Sequence, residues 1–213
     1  MKKVLTSLAL IGMAFLGQSQ VYFQENFTGG SLTVDNNWNV YDVSPSTSNL
    51  TWFYHTFSGN SFAQVSNFNN GVNEALETWL ISPSIALVNA QNPVLSFNNT
   101  KRFAGDDIQL LISTDYDGTS NPAVGFTWDN ITNLANFDTD ISGWVLINSG
   151  EIDLSAYNNQ TIYFAFQYVG GTTDGSSYRI DNVLLEEDGT TAGGCATGLF
   201  CDDFEGANLT ANN

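Results

Sequence analysis

The chain has 213 residues, 42% hydrophobic and 13% aromatic, enough to bury the core of one sizeable domain. Five basic residues against 22 acidic ones leave a net charge of −17. That excludes a nucleic-acid groove and an anionic-membrane surface, which both need clustered Lys and Arg, while a single histidine removes poly-His metal centres and HExxH sites.

Residues 1–19 read as a secretory leader. Met1-Lys2-Lys3 supplies the positive start, and Val4 to Leu16 an apolar stretch too short to span a bilayer. Gly17-Gln18-Ser19 places small residues before a cleavage at Gln20. No other segment is apolar enough for a span, so the protein is expected to be secreted or attached to a cell surface, without membrane insertion of the mature domain.

Period-two alternation then dominates. Strands are predicted over 21–27, 38–43, 51–56, 61–66, 79–82, 94–99, 108–113, 144–148, 162–168 and 178–186. Ile162, Phe164, Phe166 and Tyr168 stand opposite Tyr163, Ala165 and Gln167, the pattern of a half-buried strand. Turn chemistry separates the strands, as in Asn69-Asn70-Gly71 and Asp117-Gly118. One helical turn is expected around 73–77. The predicted fold is all-β: an antiparallel two-sheet sandwich, with the long polar connection 114–128 favouring a jelly roll.

The tail suggests a repeat. Residues 188–199 have a Gly/Thr-rich linker composition, and residues 200–213 lie without gaps on residues 23–36. Phe200/Phe23, Phe204/Phe27, Gly206/Gly29, Leu209/Leu32, Thr210/Thr33 and Asn213/Asn36 are identical. The expected organisation is a leader (1–19), a complete domain (20–187), the linker, and the start of a second copy (200–213), with further tandem domains in a longer chain. Cys195 and Cys201 are expected to close a small disulfide loop, as export permits.

Few residues suggest catalysis. His55 sits in an aromatic strand with no nucleophile motif, and the paired carboxylates Glu74/Glu77, Asp106/Asp107, Asp115/Asp117, Asp138/Asp140 and Glu151/Asp153 mostly fall in turns. Asp115-Tyr-Asp117-Gly118 begins like a calcium loop, but Phe126 stands where the twelfth-position Glu belongs. Calcium is better placed elsewhere. In a jelly roll the first and last strands run together, so Glu25 and Asp181 are candidate metal ligands for a structural calcium ion. Tyr116 and Trp128, in or beside the long connection, are candidate sugar platforms, whereas Trp52 and Trp144 read as core.

Six runs in order carry a family resemblance: Trp79-Leu-Ile-Ser-Pro-Ser-Ile85, Leu95-Ser-Phe97, Ile112-Ser-Thr-Asp-Tyr-Asp-Gly118, Ser149-Gly-Glu-Ile-Asp-Leu154, Ala165-Phe166 and Tyr178-Arg-Ile-Asp-Asn-Val183. Together they resemble the choice-of-anchor J / cleaved-adhesin group, MAM-like jelly rolls of bacterial surface proteins. The resemblance implies a non-catalytic adhesion module binding glycans or extracellular protein, with calcium held near the first strand and in the final I-D-x-V strand. Glu25 and Asp181 match those positions. One departure is Phe27-Thr28-Gly29: the group often carries Glu directly after this Phe, as Phe204-Glu205 does, where Thr28 stands here. The second expectation is an accessory domain of a secreted hydrolase whose catalytic part lies beyond residue 213.

Overall fold

The computed structural model describes residues 20–33 and 37–188. The leader, Cys195 and Cys201, the linker from residue 189 and the repeat at 200–213 lie outside them. The strands in order are β1 (Val21–Glu25), β2 (Asn39–Ser44), β3 (Phe53–Phe57), β4 (Asn60–Ser66), β5 (Phe68–Asn69) and β6 (Val72–Asn73). Next come β7 (Leu76–Ile81), β8 (Ile85–Ala86), β9 (Pro93–Arg102), β10 (Gln109–Ser113) and β11 (Asp129–Asn130). The last are β12 (Ile147–Asn148), β13 (Ile152–Asp153), β14 (Thr161–Gly170) and β15 (Ser177–Glu187). Helix among the described residues is confined to 3-10 turns at Thr132–Leu134 and Ser155–Tyr157.

The strands form an antiparallel two-sheet β-sandwich of jelly-roll type. The first sheet runs β12-β9-β15-β4-β3, with β1 also on β15 and β13 on β9. The second runs β11-β10-β14-β7-β2, with β8 on β14. Alternation decides which side chains face inward. Ile162, Phe164, Phe166 and Tyr168 of β14 and Leu110 and Ile112 of β10 meet Leu95 and Phe97 of β9 in the core. Phe166 packs edge-on against Phe97 and lies beside Trp38 and Trp52. Trp52 is core, as its sequence context predicts.

β15 shows what a one-residue slip does. Its inward residues are Tyr178 and Ile180, then Val183 and Leu185, so the phase changes across Asp181-Asn182. Pairing with β9 shifts register there, and Asn182 takes φ 48°. A bulge of this kind keeps both halves of the strand facing the core, and Asn tolerates the left-handed backbone it needs.

Two expectations are corrected. Residues 73–77 form no helical turn: Val72–Asn73 and Leu76–Ile81 are extended, because β7 pairs with β2 and β14 along both edges. Between them Glu74 reaches away to accept the Ser48 N–H at 2.8 Å and the Ser48 hydroxyl. Trp144 is neither strand nor core. Only Ile147 and Asn148 of that segment pair with β9, and Trp144 lies half-buried outside the first sheet.

Candidate functional site

Three places collect the chemistry. The first is where β15 exchanges one neighbour for another. Along one edge it pairs with β4 as far as Ile180↔Ala63, and with β1 from Val183↔Glu25. Asp181 and Asn182 fall in the gap, while the opposite edge still pairs Asp181 with Asn98. Asp181 is 1% exposed and Glu25 6%. Asp181 accepts the Asn60 amide at 2.9 Å and the Asn182 N–H at 2.7 Å, and Glu25 accepts the Phe27 N–H.

Burial raises both carboxyl groups above the ordinary carboxylate range, and their hydrogen-bond donors only partly oppose it. The coupling between them falls on Glu25, where the Asp181 charge adds to the rise. The Trp38 indole favours the Glu25 anion, although its Nε1–H makes no hydrogen bond of normal geometry. Thr28 stays exposed and hydrogen-bonds Asn26, so the charge at this end of β1 comes from Glu25.

Two buried acids without a cationic neighbour suit a hard, oxygen-seeking cation. No group of three or more His, Cys, Asp or Glu side chains converges anywhere among the described residues. A cation at this pair would therefore draw its remaining ligands from carbonyls, amide oxygens or water.

The second place is the outer face of the second sheet, where Trp79, Ile81, Leu111 and Ala165 form a small apolar cluster. The connection after β10 folds back over it. Asp115 accepts the Thr127 N–H at 2.9 Å, and Asp117 accepts the Thr119 and Ser120 N–H groups at 2.8 Å. The Ser120 hydroxyl and these amides hold Asp117 down at a pKa of about 2. Asp115-Tyr-Asp117-Gly118 is thus turn chemistry, and Gly118 has φ 84° where a Cβ would meet the Tyr163 hydroxyl.

Tyr116 is consequently not the open platform its sequence position suggests. It is 5% exposed, with its ring against Phe126, Trp128 and Tyr163 and its hydroxyl donating to the Ser120 carbonyl. Trp128 is half-buried beside it, its Nε1–H donating to the Pro122 carbonyl at 2.9 Å.

The third place is the outer face of the first sheet, and sequence reading missed it. Asp138 accepts the Thr100 hydroxyl at 2.9 Å and the Lys101 N–H at 3.1 Å, which pins the following loop onto β9. That loop carries Trp144 over β15. The Arg179 guanidinium lies 3.7 Å from the Trp144 ring centroid and 4.3 Å from that of Phe62. Its Nε donates to Gln64 at 2.9 Å, across the Arg179↔Gln64 pair.

Beside this stack a groove of about 520 Å³ runs over the sheet, lined by Phe53, Gln64, Ser66, Phe103, Trp144 and Ser177 among others. A second hollow of about 370 Å³ shares Phe68 and Phe103 with it. Phe53, Phe68 and Phe103 are all exposed. Phe103 also holds φ 69°, a region that costs a bulky side chain energy and marks a position fixed by its surroundings.

The architecture is thus a sandwich with a grooved outer face and a buried acid pair. Residues 85–194 match the family described as "Domain of unknown function (DUF5017)", and the chain belongs to that family. No curated protein matches the chain. Among solved structures, the K3 cleaved adhesin domain of Lys-gingipain from Porphyromonas gingivalis is 15% identical, covering 78% of this chain and 99% of that one, with a TM-score of 0.49. TmCBM61, solved in complex with beta-1,4-galactotriose, is 16% identical over 78% of this chain and 98% of its own, with a TM-score of 0.44. The family 11 carbohydrate-binding module of the cellulase Lic26A-Cel5E of Clostridium thermocellum is 15% identical over 79% and 94%, with a TM-score of 0.43.

The acid pair has a signature in pH. Folding raises the Glu25 and Asp181 pKa values, so their favourable contribution is complete below the unfolded value and is lost as pH rises through the folded one. Without divalent cations, stability should therefore increase as pH falls from neutrality toward the ordinary carboxylate range. Asp115, Asp117 and Glu74 are shifted down, so their opposing loss comes only at more acid pH. Thermal melts in chelator should show a shallower slope for Asp181→Asn than for the parent. Parallel slopes would mean that Asp181 does not carry the effect.

Proposed function

We propose that this domain is a non-catalytic glycan-binding module, secreted or displayed at a cell surface. In this proposal sugars bind in the groove outside the first sheet, and a calcium ion at Glu25 and Asp181 stabilises the fold. The observation that carries it is the groove lining. Exposed phenylalanines and Trp144 share one depression with neutral amides and hydroxyls from Asn49, Thr51, Gln64, Ser66 and Ser177.

Sugars offer C–H faces that pack on flat rings and hydroxyls that bond to amides, so this lining complements them. The volume lies in the range of ligand sites, and an open groove on a sheet face admits a chain end-on or side-on. No Asp or Glu lines it. Glycoside hydrolysis needs two carboxyl groups roughly 5–10 Å apart across the scissile bond, so the lining supports binding without turnover. No helix among the described residues is long and apolar enough to cross a membrane.

Calcium would supply the missing positive charge at the strand exchange. It would turn two desolvated like charges into ligands and tie β1 to β15 at the point where their pairing begins.

Affinity electrophoresis through gels containing soluble polysaccharides tests the groove. At least one glycan should retard the chain, and Trp144→Ala or Phe53→Ala should weaken retardation about tenfold or more, the loss of one buried ring contact. Unretarded migration in every gel, or retardation untouched by both substitutions, would overturn the assignment. Melting tests the ion. At a hundredfold excess over Kd, calcium should add roughly 2.7 kcal/mol, which is about 5–10 °C for a domain of this size. The rise should vanish in Asp181→Asn, and an unchanged melting temperature in the parent would contradict the site.

A further inference from the structure

Three cations lie among the described residues: Lys101, Arg102 and Arg179. Lys101 is satisfied, with its ammonium on Asp107 at 2.5 Å and on the Gly105 carbonyl at 2.9 Å. The two arginines are not. Neither has a carboxylate within ion-pair distance among the described residues, in a chain that carries 22 acidic residues.

Both arginines lie against walls of the groove, although neither is part of its lining. Arg102 pairs with Ser177 across β9 and β15, so it shares the outer face with Arg179 two residues along. Their guanidinium groups converge on one ring: Arg179 lies 3.7 Å and Arg102 5.7 Å from the Trp144 centroid. Arg102 also lies 5.1 Å from the Phe103 ring. Trp144 and Phe103 are groove walls, so Arg102 stands between two lining residues, half-buried. Arg179 sits behind Trp144, 9% exposed, and Gln64 accepts from its Nε alone.

This arrangement is costly without an anion. A desolvated guanidinium favours a partner of opposite charge, and aromatic faces compensate only in part. The two charges also repel. Burial, and then the charge of Arg102, lowers the Arg179 pKa, yet a guanidinium stays protonated. A strongly acidic protein has ample Asp and Glu with which to neutralise such a pair. Here the groove lining has none.

We propose that the glycan taken by this groove is acidic: a uronate-type sugar whose carboxylate is bound by Arg102 and drawn in by the Arg102–Arg179 pair. This rests on the glycan-binding assignment of the groove and adds the ligand's charge to it. A carboxylate matches the planar fork of a guanidinium, and the rings beside Arg102 take the sugar's C–H face. The overall charge of −17 does not forbid the approach, because charges beyond about 8 Å are screened at physiological salt.

The test removes charge from the ligand while keeping the sugar. Polygalacturonate, alginate and hyaluronan are each run beside their methyl-esterified forms, with neutral galactan and β-glucan as further gels and calcium equal throughout. At least one polyuronate should retard the chain. Its methyl ester should do so about tenfold less, the scale of one charge-assisted hydrogen bond. Arg102→Gln should lose the same factor against the polyuronate and nothing against the ester. Added NaCl should weaken the first and spare the second.

Arg102→Gln is preferred to a change at Arg179, whose stacking supports the loop, and its melting temperature should match the parent's. If neutral or esterified glycans bind as well as the polyuronates, or Arg102→Gln binds a polyuronate like the parent, the charge assignment is wrong and the glycan groove stands. If no glycan of either kind retards the chain, the groove assignment itself fails, and this inference with it.

Discussion

β15 is paired along both edges, and one of those edges must pass from β4 to β1 partway along. A strand cannot change partners without leaving some backbone unpaired, and the exchange falls on Asp181-Asn182. The bulge there restores the inward phase, so Tyr178 and Ile180 before it and Val183 and Leu185 after it all reach the core. The same exchange buries Asp181 next to Glu25 and fixes the outward direction of Ser177 and Arg179 just upstream. The buried acids and the groove thus both depend on how β15 is held at this exchange. Loosening the exchange would disturb both.

The groove depends on a second layer of fixing. Trp144 lies on a loop, and loop side chains make poor platforms unless something holds them. Asp138 pins the loop to β9 through Thr100 and Lys101, and Arg179 then supports the Trp144 ring from beneath with Phe62 on its other side. Each contact alone is modest. Together they set one ring in one orientation beside exposed Phe53 and Phe103.

The inner faces were legible in the sequence because burial writes itself as alternation. Ile108, Leu110 and Ile112, and Ile162 through Tyr168, announce the strands that carry them. That β1 and β15, the strands of Glu25 and Asp181, pair with each other was legible for a topological reason, since the first and last strands of such a sandwich lie side by side. The groove was not. Its parts come from β3, β4, β15, the turn after β9 and the loop before β12, and no local spacing joins residues 53, 64, 103, 144 and 177. Trp144 read as core because an aromatic in an apolar run usually is. Tyr116 read as exposed because its polar loop hid the apolar cluster of Trp79, Ile81 and Leu111 that the loop covers.

The central claim is that ligand meets the protein at Trp144, outside the first sheet. The five tryptophan indoles are separate reporters: Trp38 and Trp52 in the core, Trp79 and Trp128 on the opposite sheet, Trp144 in the groove. Titrating 15N-labelled protein with oligosaccharides of the polymer that retards it most should move the Trp144 indole resonance and leave the other four in place. Movement of Trp128 with Trp144 unchanged would put the ligand on the opposite sheet and contradict the account.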